Sequence, residues 1–121
     1  MESGQGDVCL PGSATMLKGT LCTIIAGVLT PTDATTKATF ITARDYISGG
    51  DYVTAYPLSE GGVIEVQFSA SAATAYVAIY QAAGGKVSTS SAGSALAIGQ
   101  NLEVVLKSGS NGALGRVAIT R

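Results

Sequence analysis

A chain of 121 residues is long enough for one domain that buries roughly two thirds of its unfolded surface, but too short for a large core. Seven Lys and Arg against eight Asp and Glu give a formal net charge of −1. That balance provides neither a basic field for a phosphate backbone nor an acidic tail, so nucleic acid and membrane are excluded as partners. The absence of His removes Ser-His-Asp and Cys-His nucleophile systems and every His-ligated metal site.

Residues 1–15, "MESGQGDVCLPGSAT", are rich in Gly and Ser, contain Pro11 and keep neither helical nor strand period. They read as a flexible N-terminal arm, with residues 16–121 as a single β domain. Next comes the apolar run "LCTIIAGVL", residues 21–29. It follows a polar start containing Glu2 and Asp7 and is too short to span a bilayer, so it reads as strand rather than export signal. The protein is accordingly expected to be made in the cytoplasm and to work where it is made. Cys9 and Cys22, with no further Cys and no His, read as reduced thiols. A disulfide closing a short loop is the alternative.

From there on, short apolar runs rich in Val, Ile, Thr, Tyr and Phe end in Gly, Asp, Asn or Pro. They predict strands over residues 20–26, 37–43, 51–57, 62–69, 75–81, 85–90, 101–107 and 114–120. In 62–69, Ile64, Val66 and Phe68 share one face and Glu65 and Gln67 the other. In 101–107, Leu102, Val104 and Leu106 are set against Glu103 and Lys107. "SAATAYVAIYQAA" has alanine enough for a helix, but Tyr76, Val77, Ile79 and Tyr80 fit a strand better. Eight short strands at even spacing predict an all-β fold, a small β-barrel or β-sandwich.

Chemistry is sparse. Asp45, Asp51, Glu60, Glu65 and Glu103 could do general acid and base work, but none sits among polar groups that would position it. "TPTDATTK" offers one Asp where a calcium loop needs several oxygens at alternating positions, so no metal is expected. "AAGGKVSTSSAG", residues 82–93, has Gly85-Lys86 but then Val87, with Tyr80 five residues before Gly85. The spacing of a phosphate loop fails at both ends, and Gly84-Gly85 between two β-rich runs reads as a hairpin turn. No catalytic residue, cofactor, small-molecule substrate or enzyme activity is expected.

The C-terminal half resembles the capsid decoration, or cement, proteins of tailed bacteriophages. The likeness covers about half the chain and rests on Glu60, Gly62 and Val63, then Val77 and Tyr80, then Gly85, Lys86 and Val87. It continues through Ile98, Gly99, Leu102 and Glu103 to Gly115, Val117 and Ile119. The resemblance implies a β-tulip-like body with an extended arm, found on the outer surface of the virion capsid. Its partners would be the major capsid protein, whose neighbouring subunits it clamps, and its own copies in a homotrimer. On that reading the arm residues Gly6, Asp7, Val8, Cys9, Leu10 and Pro11 would touch the capsid by adding a strand to an exposed sheet edge. Val53 and Val105, apolar residues expected on an otherwise polar outward face, would meet neighbouring copies. Other readings are a tail, spike or head-fibre module and a secreted carbohydrate-binding β-module. The last wants aromatic platforms, and there is no Trp, while Tyr46, Tyr52, Tyr56, Tyr76 and Tyr80 are assigned to strand faces.

Overall fold

The computed structural model describes residues 8–50, 52–58, 62–69, 72, 74–105 and 113–120. Its strands are β1 (Val8–Leu10), β2 (Leu21–Ile25), β3 (Val28–Pro31), β4 (Phe40–Thr42), β5 (Val53–Pro57), β6 (Val63–Phe68), β7 (Ala78–Ala82), β8 (Lys86–Ser88), β9 (Ala97–Asn101) and β10 (Ala113–Ile119). The fold is all-β. The first five strands form an antiparallel sheet in the order β1-β5-β4-β2-β3, and the last five close into a barrel in the order β10-β6-β8-β7-β9. Within the barrel β6 and β8 run parallel, with Phe68 opposite Val87, and the other pairs are antiparallel.

Residues 8–15, the described part of the expected arm, run along the N-terminal sheet. β1 pairs with β5, and the next residues reach the far edge of the same sheet. There Leu29 donates its N–H to the Pro11 carbonyl at 2.9 Å, and Ser13 donates to the Leu29 carbonyl at 2.9 Å. One short segment therefore covers both sheet edges, which unpaired would be open to any passing strand. Gly12 makes this route possible, because a Cβ there would press on Val53 and Tyr46.

Two cores result. One lies under the N-terminal sheet and holds Met16, Cys22, Leu29, Tyr46, Val53 and Ala55, with Val8, Leu10 and Phe40 packed against it. The other fills the barrel with Val66, Phe68, Ile79, Val87, Ile98, Val117 and Ile119, and it also takes Leu21, Ala38 and Ile41 from the sheet side. Each large side chain so buried contributes roughly 1.5–3 kcal/mol. Sharing three sheet residues with the barrel core ties the halves together.

Polar groups close the same seam. Gln67, on β6, donates its side-chain amide to the Lys18 carbonyl at 2.8 Å and its N–H to the Gly19 carbonyl at 2.9 Å. Gln81, on β7 and 1% exposed, accepts the Ala38 N–H at 3.1 Å and donates to the Asp33 and Thr36 carbonyls at 2.9 and 2.6 Å. Gly85 donates its N–H to the Thr32 carbonyl at 2.7 Å.

Several strand expectations shift. β3 was not foreseen; it follows β2 through the two-residue turn Ala26-Gly27, both at positive φ, the geometry of a tight hairpin. The strand predicted over 101–107 is displaced to β9, and beyond it Val105 exchanges backbone hydrogen bonds with Ala72 at 2.8 and 2.9 Å. Val105 is 4% exposed and Val104 49%, the reverse of the faces expected for these two residues. Val53 is likewise 1% exposed, while Tyr52 and Tyr56 point out. Both valines expected on the outer face are core residues. Gly84 and Gly85, at φ 74° and 72°, form the turn between the antiparallel β7 and β8, as expected. Residues 78–82 of the alanine-rich stretch are strand, not helix.

Candidate functional site

Reactive groups are accounted for by local structure. Among the described residues, no three His, Cys, Asp or Glu side chains are placed to hold a metal ion. Glu65 pairs with Lys18 at 3.6 Å and Glu103 with Arg116 at 3.3 Å, both on the surface. Asp45 accepts the Lys18 N–H at 2.7 Å. Asp33, in the segment weighed as a calcium loop, instead accepts the N–H groups of Thr35 and Thr36 at 2.9 and 2.7 Å. These bonds, that of Thr35 first, hold its carboxyl below the usual value. Asp51 and Glu60 lie outside the described residues. Cys9 and Cys22 are both free thiols. Burial pushes the Cys22 thiol up to about 12, so it stays protonated and a poor nucleophile.

The residues expected to touch a capsid or a second copy are mostly structural. Gly6 and Asp7 lie outside the described residues. Val8 and Leu10 pack on the core under the sheet, and Pro11 is tied to β3 through its carbonyl. Cys9 faces outward, its Sγ 3.6 Å from the Thr54 hydroxyl. Val53 and Val105 are buried rather than on an outward face.

The exposed apolar side chains are different ones. Ile24 and Ile25 stand 41% and 52% exposed at the tip of the β2–β3 hairpin. Ile47 and Tyr52, both 64% exposed, sit on the loop over buried Tyr46. A cleft of about 310 Å³ lies between sheet and barrel, lined by Ile41, Tyr56, Val63 and Ile64 and by the Lys18–Glu65 pair. Exposed apolar groups on a surface this poor in charge are what protein contact uses. Most of them, Ile24, Ile25 and Tyr52 included, fall inside strands expected from the sequence, and periodicity alone did not show that their side chains face solvent.

The loop before β7 is the most constrained feature. Tyr76 is 68% exposed and has φ 64°, a left-handed conformation that bulky residues avoid. Asn101, wholly buried, holds it there: the Tyr76 N–H reaches the Asn101 carbonyl at 2.9 Å. The Val77 N–H donates to Asn101 Oδ1 at 3.0 Å, and Asn101 Nδ2 donates to the Thr74 and Glu103 carbonyls, each at 2.9 Å. Beside this loop lies a hollow of about 390 Å³ lined by Thr74, Val77, Ala78, Tyr80, Thr89 and Ser91. Tyr76, assigned to a strand face from sequence, stands instead on this turn.

No family model matches the sequence, and no curated protein matches it. Among solved structures the fold is similar to the N-terminal base of the head fibre protein gp8.5 of bacteriophage phi29, with a TM-score of 0.67 at 13% identity. The match covers 94% of this chain and 92% of that one, so sheet and barrel together form the shared unit.

Proposed function

We propose that this chain is a structural protein of a phage virion, seated on the outer surface of the head and held there by protein–protein contact. The observation that carries the reading is the fold likeness, over nearly the whole of both chains, to a module named as the base of a phage head fibre. The surface chemistry fits: little charge, exposed isoleucines at a hairpin tip, and described carboxylates engaged in local bonds rather than gathered for catalysis. In the form suggested by the C-terminal motifs, the protein is a cement. Copies, arranged as trimers, bridge neighbouring subunits of the major capsid protein through the hairpin tip and the loop carrying Ile47 and Tyr52. It performs no reaction.

The same likeness favours a second reading, in which the chain is the base of a head fibre and carries further structure outward rather than bridging subunits. Heads that lack the protein separate the two when the purified chain is added back. A cement binds in many copies and raises the temperature at which heads release their DNA. A fibre base binds in few copies and leaves that temperature unchanged. Failure to sediment with heads at all contradicts both.

A further inference from the structure

The hollow beside Tyr76 has properties that head attachment does not need. Its lining carries four hydroxyls, on Thr74, Tyr80, Thr89 and Ser91, and no charged side chain. Among the described residues none of the four is bonded to another protein group. Ala78 lies two residues before Tyr80 on the outward face of β7 and has little side chain, which leaves room beside the tyrosine. Tyr76 is the next residue to Val77 on the rim. It is held in an unfavourable backbone conformation by a buried asparagine whose amide is fully engaged. Such strain persists only where surrounding structure enforces it, and it is characteristic of ligand contacts.

We propose that this groove binds neutral carbohydrate. The chemistry of the lining selects that class. Hydroxyls both donate and accept, as sugar hydroxyls do. A tyrosine ring offers an apolar face to the C–H face of a sugar and a polar tip to its edge. An apolar protein segment would leave four hydroxyls buried without partners, at a cost, and an anionic ligand would find no cation. The volume lies within the range of small-ligand sites. The site is on the barrel, apart from the hairpin tip and the Ile47–Tyr52 loop assigned to the head, so it is a second activity that does not depend on the first.

The test uses the isolated full chain, labelled with ¹⁵N and titrated with cellohexaose, maltohexaose, mannohexaose and chitohexaose, each to about 10 mM, enough to reveal millimolar binding. At least one is expected to give saturable amide shifts confined to residues 74–80 and 89–91. Tyr76→Gly, which relaxes the backbone without touching the core, is expected to weaken that sugar by about tenfold or more. Thr89→Val is expected to weaken it while leaving the rest of the spectrum unchanged. No shift with any of the four sugars, shifts elsewhere, or equal binding by Tyr76→Gly would overturn the proposal. So would loss of head binding in Tyr76→Gly, which would make the groove a protein contact. Because the sugar titration itself involves no heads, its outcome is separate from that of the attachment reading.

Discussion

At the scale of single residues, three side chains separate structural duty from surface duty. Tyr76 occupies left-handed backbone that costs an ordinary residue about 1–2 kcal/mol, yet its ring is 68% exposed. Tyr76→Gly removes that strain and introduces the larger unfolded-state entropy of glycine, about 0.5–1 kcal/mol. Stability in urea is therefore expected to stay constant or rise by up to about 1 kcal/mol; a clear loss would show that the ring supports the fold. Gln81 is the converse. Replacing it with Leu strands the Ala38 N–H and the Asp33 and Thr36 carbonyls, and a loss of about 3 kcal/mol is expected in the same measurement. Cys22 titrates as a group raised by burial, from 9.0 to about 12. The stability it contributes is complete below pH 9.0 and is lost as pH rises toward about 12. With a thiol reagent at neutral pH, Cys9 is expected to react in the native protein and Cys22 only after denaturation.

Among the elements, the β7–β8 turn shows how two adjacent glycines differ. Gly84 and Gly85 have nearly the same positive φ, but a Cβ on Gly84 meets open space, whereas one on Gly85 collides with the Leu21 carbonyl and the Thr20 methyl. Gly84→Ala is expected to cost about 1 kcal/mol, from backbone strain alone. Gly85→Ala is expected to cost about 3 kcal/mol or more, since the barrel must move off the sheet. Equal costs in thermal unfolding would mean that the turn does not seat the two halves. The turn itself was legible in the sequence because Gly-Gly between β-branched runs has a local cause. Its contact with Leu21, some sixty residues away in the chain, has no local signal.

Strands that carry β-branched residues, such as β6 with Val63, Ile64 and Val66 and β10 with Val117 and Ile119, were readable for the same reason. β9, with Gly99 at its centre against the Ala118 backbone, was hidden behind the more apolar "LEVV". Period two announces that a strand has two faces without saying which is inside. Small Val53 and Ala55 fill the core and leave the tyrosines beside them to solvent. The seam decides the phase, and the seam is tertiary. Gly, Ser and Pro, which weaken autonomous structure, are also compatible with the route by which residues 8–13 pair with two sheet edges, and that pairing has no local signal.

At the scale of the molecule, Leu21, Ala38 and Ile41 enter the barrel core from the sheet side, and sheet and barrel together are covered by the match to the phage head fibre base. Apolar groups exposed at a hairpin tip and on the loop over Tyr46 suit the protein contact proposed above. The candidate site was the less legible part of the chain. The resemblance in the C-terminal half pointed to a virion role, but the exposed residues that would carry it, Ile24, Ile25, Ile47 and Tyr52, lie in the N-terminal half. The most direct test of the proposed virion role is to image phage heads assembled with and without the gene for this chain. Density of this shape is expected on the outer face of the head at symmetry-related positions, contacting the shell through the hairpin tip and absent from the deletion. Identical head surfaces in the two preparations, or the density found on the tail, would contradict the assignment.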